Sequence, residues 1–257
     1  MNSDIARSIG SASLVIAGAL AFAASAAAQS GTKTEVAPFS HALHHQAAPA
    51  KGGYAEAAPP FFGNLGKHHW QITTASPEAQ QYFDQGLRLA YGFNHAEARR
   101  AFREAQRLDP SCAMCFWGEA FVLGPNINMP MDAAAGRKAY AAIRRALALA
   151  GKASPQEAAL IHALAARYVE NPPEDRTRLD RAYANALRDV VRRFPNDLEA
   201  RTLYAEALMD LSPWNYWTRD GRPREHTPTI LALLEHVMKA NPDHPGANHF
   251  YIHAVEA

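Results

Sequence analysis

Tyr82-Phe-Asp-Gln-Gly86-Leu-Arg-Leu89, then Ala98-Arg-Arg-Ala-Phe102-Arg-Glu-Ala105, then Asp109-Pro110 reads as two short helices folded against each other. Gly86 and Ala98 are small where the helices must approach closely. Tyr82, Leu89 and Phe102 fill the seam. Pro110 ends the second helix, because it has no N–H to give to the helical ladder. One such hairpin cannot bury its apolar face alone, so the chain should contain more of the same.

Outward from this stretch the chain reads as helical from Ser76-Pro77 to its end. Ser76 suits an N-cap and Pro77 the first helical position. Stops recur at Pro110, Gly151, Pro195 and Pro242, about 41 to 47 residues apart. Second helices recur as Ala139/Ile143/Ala146, Tyr183/Leu187/Val190 and Ile230/Leu234/Val237, each with the spacing of Ala98/Phe102/Ala105. The pattern resembles the tetratricopeptide repeat family, whose period is about 34 residues. The excess length sits in two inserts, Gly124 to Pro130 and Ser212 to Gly221. The expected fold class is therefore all-α, an α-solenoid of tetratricopeptide-like helical hairpins over residues 76–257.

The chain has 257 residues, 48% hydrophobic and 20% charged, which is enough to bury a core. Its formal net charge of +1 gives no electrostatic case for nucleic acid or an anionic membrane surface. Arg7, the apolar run Leu14 to Ala24 and Ala26-Ala27-Ala28 before Gln29 read as a secretory signal peptide over 1–28. The run is too short to span a bilayer comfortably. The expectation is a periplasmic protein with no membrane span after signal cleavage. Residues 29–75 carry scattered Pro, Gly and His and read as a flexible leader lying partly on the first repeat. A His-rich metal-gathering arm is the alternative. The last helix would leave Phe250, Tyr251, Ile252 and Val255 uncovered at Ala257, so further repeats, or a dimer, are expected to cover it.

The family resemblance implies partner binding in a concave groove lined by the first helix of each unit. Its groove positions fall on Phe83, Leu87 and Ala90, then Met114, Trp117 and Phe121, then Glu199, Thr202, Glu206 and Met209, and finally His249, His253 and Glu256. The chain also resembles exported bacterial repeat proteins that share its Cys-Ala-Met-Cys, Gly-Pro-Asn-Ile-Asn, Ser-Pro-Trp-Asn-Tyr-Trp and His-Phe-Tyr-Ile-His stretches. That group implies compartment and fold and no particular activity. The expected function is a non-enzymatic scaffold for a protein or peptide partner, without a cofactor. A Gly-x-Ser-x-Gly elbow, a phosphate loop and a metalloprotease motif are all missing from the sequence.

Three stretches carry chemistry. His249, His253 and Glu256 stand at i, i+4 and i+7 after the helix start Pro245-Gly246. That places them within roughly 60° of arc on one helical face. Two imidazoles and a carboxylate so placed suit copper or zinc; hydrogen-bonded interface residues are the plainer reading. Cys112 and Cys115 flank the first turn of a helix for which Ser111 is the expected N-cap. They read as a local disulfide, as soft metal ligands with Met114, as a redox pair, or as buried free thiols. Trp214, Tyr216 and Trp217, in an insert broken by Pro213, read equally as a packed loop or as a binding platform.

Overall fold

The computed structural model describes residues 58–256. The stretch read as a signal peptide, and the part read as a leader up to residue 57, lie outside the described residues. The remainder is all-α: among the described residues there are helices and two isolated bridges, Asn126 with Met129 and Trp217 with Pro223, and no strand. The helices are α1 Pro77–Tyr91, α2 His95–Leu108, α3 Ala113–Val122, α4 Ala133–Leu149, α5 Pro155–Ala165, α6 Thr177–Arg193, α7 Leu198–Met209, α8 Thr227–Ala240 and α9 Pro245–Val255. None of them is long and apolar enough to cross a membrane.

Local chemistry sets most helix starts. The Ser76 hydroxyl accepts from the Ala79 amide at 3.1 Å, with Pro77 next in line. Ser154 and Glu157 form a reciprocal capping box at α5. Asp132 and Asp197 cap α4 and α7. At α3 the cap is Cys112, whose sulfur accepts from the Cys115 amide at 3.1 Å, and not Ser111. The reason is Asp109: its carboxylate takes both the amide and the hydroxyl of Ser111, at 2.9 and 2.7 Å.

Consecutive helices pack against one another, and α1, α3 and α5 also touch along a common side, as do α7 and α9. The ring of Phe102 is the clamp of the first hairpin. A Cβ on Gly86 would stand 2.8 Å from it, and one on Gly118 of α3 would stand 2.4 Å from it. Phe83, not Tyr82, supplies the facing ring, at 5.5 Å. Tyr82 instead stacks on Phe61 at 4.1 Å and donates to the Pro59 carbonyl. Residues 58–75 thus lie along α1, where Gln85 and Asp84 hold the backbone at Phe62 and Trp70.

The last helix does not stop at its sequence neighbour. α9 packs against α8 and α7, and also against α1. Gly246 permits this, since a Cβ there would meet the Tyr91 ring at 2.7 Å. An open array of repeats makes only nearest-neighbour contacts; here α1 and α9, the first and last helices among the described residues, meet. The residues expected to line an open groove are interior instead. Phe83, Leu87, Ala90, Met114, Trp117, Phe121, Glu199, Thr202, Glu206 and Met209 are all buried.

Candidate functional site

The face of α9 read from the sequence does assemble, but as a chain of bonds. His249 Nδ1 lies 2.5 Å from the backbone carbonyl of Tyr91. A carbonyl can only accept, so this nitrogen carries a proton. The Tyr91 carbonyl belongs to the last turn of α1, where intrahelical donors run out. His249 therefore completes that helix end from 158 residues away. His253 Nδ1 lies 2.5 Å from a carboxylate oxygen of Glu256 and donates to it. The two remaining nitrogens, Nε2 of His249 and Nε2 of His253, face each other at 2.9 Å. Glu256 thus sits behind His253 and orients it, where the sequence suggested a third ligand beside the two imidazoles.

Two bulky aromatics wall this pair, and both have unusual backbones. Phe93 and Trp214 are the non-glycine residues of positive φ among the described residues, at 56° and 60°. Such a conformation is costly for a residue with a large side chain. Phe93 sits where α1 ends in paired bonds, Phe93 N to Ala90 O and Asn94 N to Leu89 O, both at 2.9 Å. That arrangement normally places glycine at the left-handed position. Here the glycine, Gly92, lies one residue earlier with φ of −89°. Trp214 occupies the third position of a turn closed by Asn215 N to Ser212 O at 3.0 Å, with Pro213 second. A turn with Pro second and positive φ third also prefers glycine there. Both rings lie on His253: Phe93 stacks at 5.6 Å, and Trp214 meets it edge-on at 5.2 Å. Phe93 also covers His249 at 4.5 Å and His95 at 5.8 Å, and His95 contacts Asn126 at 3.2 Å. The second insert and the α1–α2 turn therefore converge on α9, and the first insert reaches that turn's far side through Asn126 and His95.

A second cluster lies deeper. The Glu199 carboxylate accepts from the Tyr91 hydroxyl and from His244 Nε2 at 3.1 Å, and His68 Nε2 stands 2.8 Å from it. Burial alone would push its pKa up. The bonds from His244 and His68 outweigh that and hold it at about 2. His68, Glu199 and His244 offer ligand atoms all within 4.8 Å of one another. They line a cleft of about 310 Å³. The hydrogen bonds argue against an ion here. His244 caps α9, with Nδ1 accepting from the Ala247 amide at 3.1 Å. Its proton is therefore on Nε2, the atom a metal would need. A metal-bound histidine normally donates its other nitrogen's proton to an oxygen, and His244 does the reverse.

The other predicted residues fall into place around these clusters. Cys112 and Cys115 are joined by a disulfide and buried, so neither sulfur is free for a metal in this state. Tyr216 is buried, and Trp217 donates to the Ala254 carbonyl at 2.7 Å, pinning the insert to α9. Glu199 belongs to the deeper cluster, whereas Thr202, Glu206 and Met209 line the interior. Sequence reasoning did not find Tyr91, Phe93 or His244, and reached His68 only as part of the alternative His-rich arm. Comparison of the chain with protein-family models, with curated proteins and with solved structures gives no match.

Proposed function

We propose that this protein is an exported, non-catalytic binding protein that holds a transition-metal ion between Nε2 of His249 and Nε2 of His253. We read its hairpins as tetratricopeptide-type units carrying that site at the junction of the last helix with the first. The observation that supports this most is the pairing of oriented nitrogens. Each ring gives its Nδ1 proton to an oxygen, one a backbone carbonyl and one a carboxylate. That is the outer arrangement of metal-ligating histidines. The 2.9 Å bond between the Nε2 atoms requires one proton there, and a metal ion would take that proton's place.

The spacing favours copper(II). With metal–nitrogen bonds of about 2.0–2.1 Å, nitrogens 2.9 Å apart subtend about 90° at the ion. This suits adjacent corners of a tetragonal copper site better than a tetrahedral zinc site. Only His249 and His253 supply nitrogens to it, so water or another small ligand fills the remaining positions and the ion is exchangeable. The disulfide agrees with an oxidising compartment. The test is equilibrium dialysis of untagged protein against copper(II) and zinc(II), with bound metal measured by mass spectrometry. Wild type should bind one copper tightly. His249→Ala/His253→Ala should lose at least a hundredfold in affinity, and Glu256→Gln roughly 10–100-fold. Equal affinity in wild type and the double variant refutes the proposal.

A further inference from the structure

Between α6, α7 and the start of α8 lies a second cleft, of about 680 Å³, lined by none of the residues of the two histidine clusters. Its charge is one-sided. Arg181, Arg188, Arg224 and His226 line it, against the single carboxylate of Glu225. A chain of net charge +1 thus gathers cations in one concave place. Arg181 and Arg188 stand seven residues apart and so project from the same face of α6.

These cations are not consumed by the fold. Arg181 and His226 have no ion-pair partner among the described residues. Arg188 has only its exposed chain neighbour Asp189, at 3.8 Å. Arg224 is held by the Trp217 carbonyl at 3.3 Å, which orients it without neutralising it. The α8 start adds to this. His226 occupies the N-cap position, but its side chain makes no capping bond, and Thr229 of the first turn lines the cleft. Thr227 N–H is taken by the Arg224 carbonyl and Pro228 has none, so the first turn offers the Thr229 amide and the positive end of the helix dipole. Half-buried Tyr204 and buried Leu208 of α7 line the cleft between these polar groups.

We infer that this cleft binds a small organic anion, with a phosphate or carboxylate head between Arg181, Arg188 and His226 and an apolar body against Tyr204 and Leu208. Forked guanidinium donors match both head groups. The volume lies in the range of small-ligand sites, about 300–1,000 Å³, and an extended peptide would need a longer channel. The inference does not depend on metal binding at α9.

The experiment is isothermal titration at fixed ionic strength with inorganic phosphate, phenylphosphate and phenylacetate. Phenylphosphate or phenylacetate should bind at least tenfold more tightly than inorganic phosphate, and the better of the two identifies the head group. Arg181→Gln/Arg188→Gln should lose at least tenfold in that affinity while keeping the wild-type helical signal and melting temperature. Two results overturn the inference: no probe binding wild type more tightly than about 1 mM, or equal binding in the double variant. Tight binding of inorganic phosphate alone, with no gain from the ring, overturns the apolar half of the site and with it the ligand class proposed.

Discussion

Replacing Phe93 by alanine and, separately, by glycine isolates the backbone strain beside the α9 histidines. Both changes remove the ring from His249, His253 and Phe250. A fully buried Phe→Ala change costs about 3–5 kcal/mol. Phe93 is only partly buried against the core, so about 2 kcal/mol is expected. Alanine keeps the penalty of a Cβ at φ of 56°, about 1–2 kcal/mol. Glycine removes it but returns about 0.5–1 kcal/mol through its freer unfolded chain. The prediction is therefore an ordering: wild type most stable, Phe93→Gly about 1 kcal/mol below, Phe93→Ala about 1 kcal/mol lower still. Urea unfolding followed by circular dichroism measures it. For a domain of this size each 1 kcal/mol moves the melting temperature by about 2–4 °C. If Phe93→Ala is as stable as Phe93→Gly, the position is not strained, and no binding site is needed to account for an aromatic there.

Acid should expose the buried carboxylate. Glu199 is held at about 2 against an ordinary value of 4.5, a gap of about 3 kcal/mol. A carboxyl lowered in the folded state stabilises the fold above its unfolded value, and that contribution disappears as pH falls. Wild-type stability should therefore drop between pH 4.5 and 2, and Glu199→Gln should show about 3 kcal/mol less of that drop; parallel curves for the two proteins would contradict the bonding described. Gly86→Ala places a methyl group 2.8 Å from the Phe102 ring and should destabilise by about 1–3 kcal/mol, partly relieved by Phe102→Leu. A melting temperature within a degree of wild type would show that the first hairpin is not clamped there.

Much of the helical framework is written locally. Ser76-Pro77, Ser154 with Glu157, and Asp109-Pro110 announce starts and stops that the chain observes. The spacing of His249, His253 and Glu256 correctly puts them on one face, because helical geometry alone decides that. Spacing does not say which ring nitrogen faces which partner. So the place of Glu256 behind His253 depends on χ angles, and the bond from His249 to Tyr91 depends on closure of the chain. Closure joins Gly246 to Tyr91 across most of the sequence, and no local pattern encodes such a contact. Two further local signals point to the site. Gly92-Phe93 and Pro213-Trp214 put an aromatic where each turn asks for glycine, a mismatch legible in the residues themselves. Asp243-His244-Pro245 likewise has a polar residue directly before a proline that starts a helix, the signature of a cap.

Tyr91 makes the two histidine clusters one system. Its hydroxyl binds Glu199, and its backbone carbonyl binds His249. It is the last residue of α1, followed directly by Gly92 and the strained Phe93. A buried anion with a pKa of about 2 fixes the Tyr91 side chain, His68 and His244 together, and His244 in turn starts α9. The helix carrying His249 and His253 is thereby set in height and rotation by a bond network inside the protein. Strain at Phe93 would otherwise be relieved by letting the α1–α2 turn swing away. It persists because α1, which leads into that turn, is held to α9 through the Tyr91 carbonyl and ring, against His249 and Gly246. Rigid placement of two imidazole nitrogens is what a metal site needs, and a loose surface pair would not provide it. The deeper cluster therefore fixes where the two α9 rings can be without touching them, the rigid placement that the proposed metal site requires.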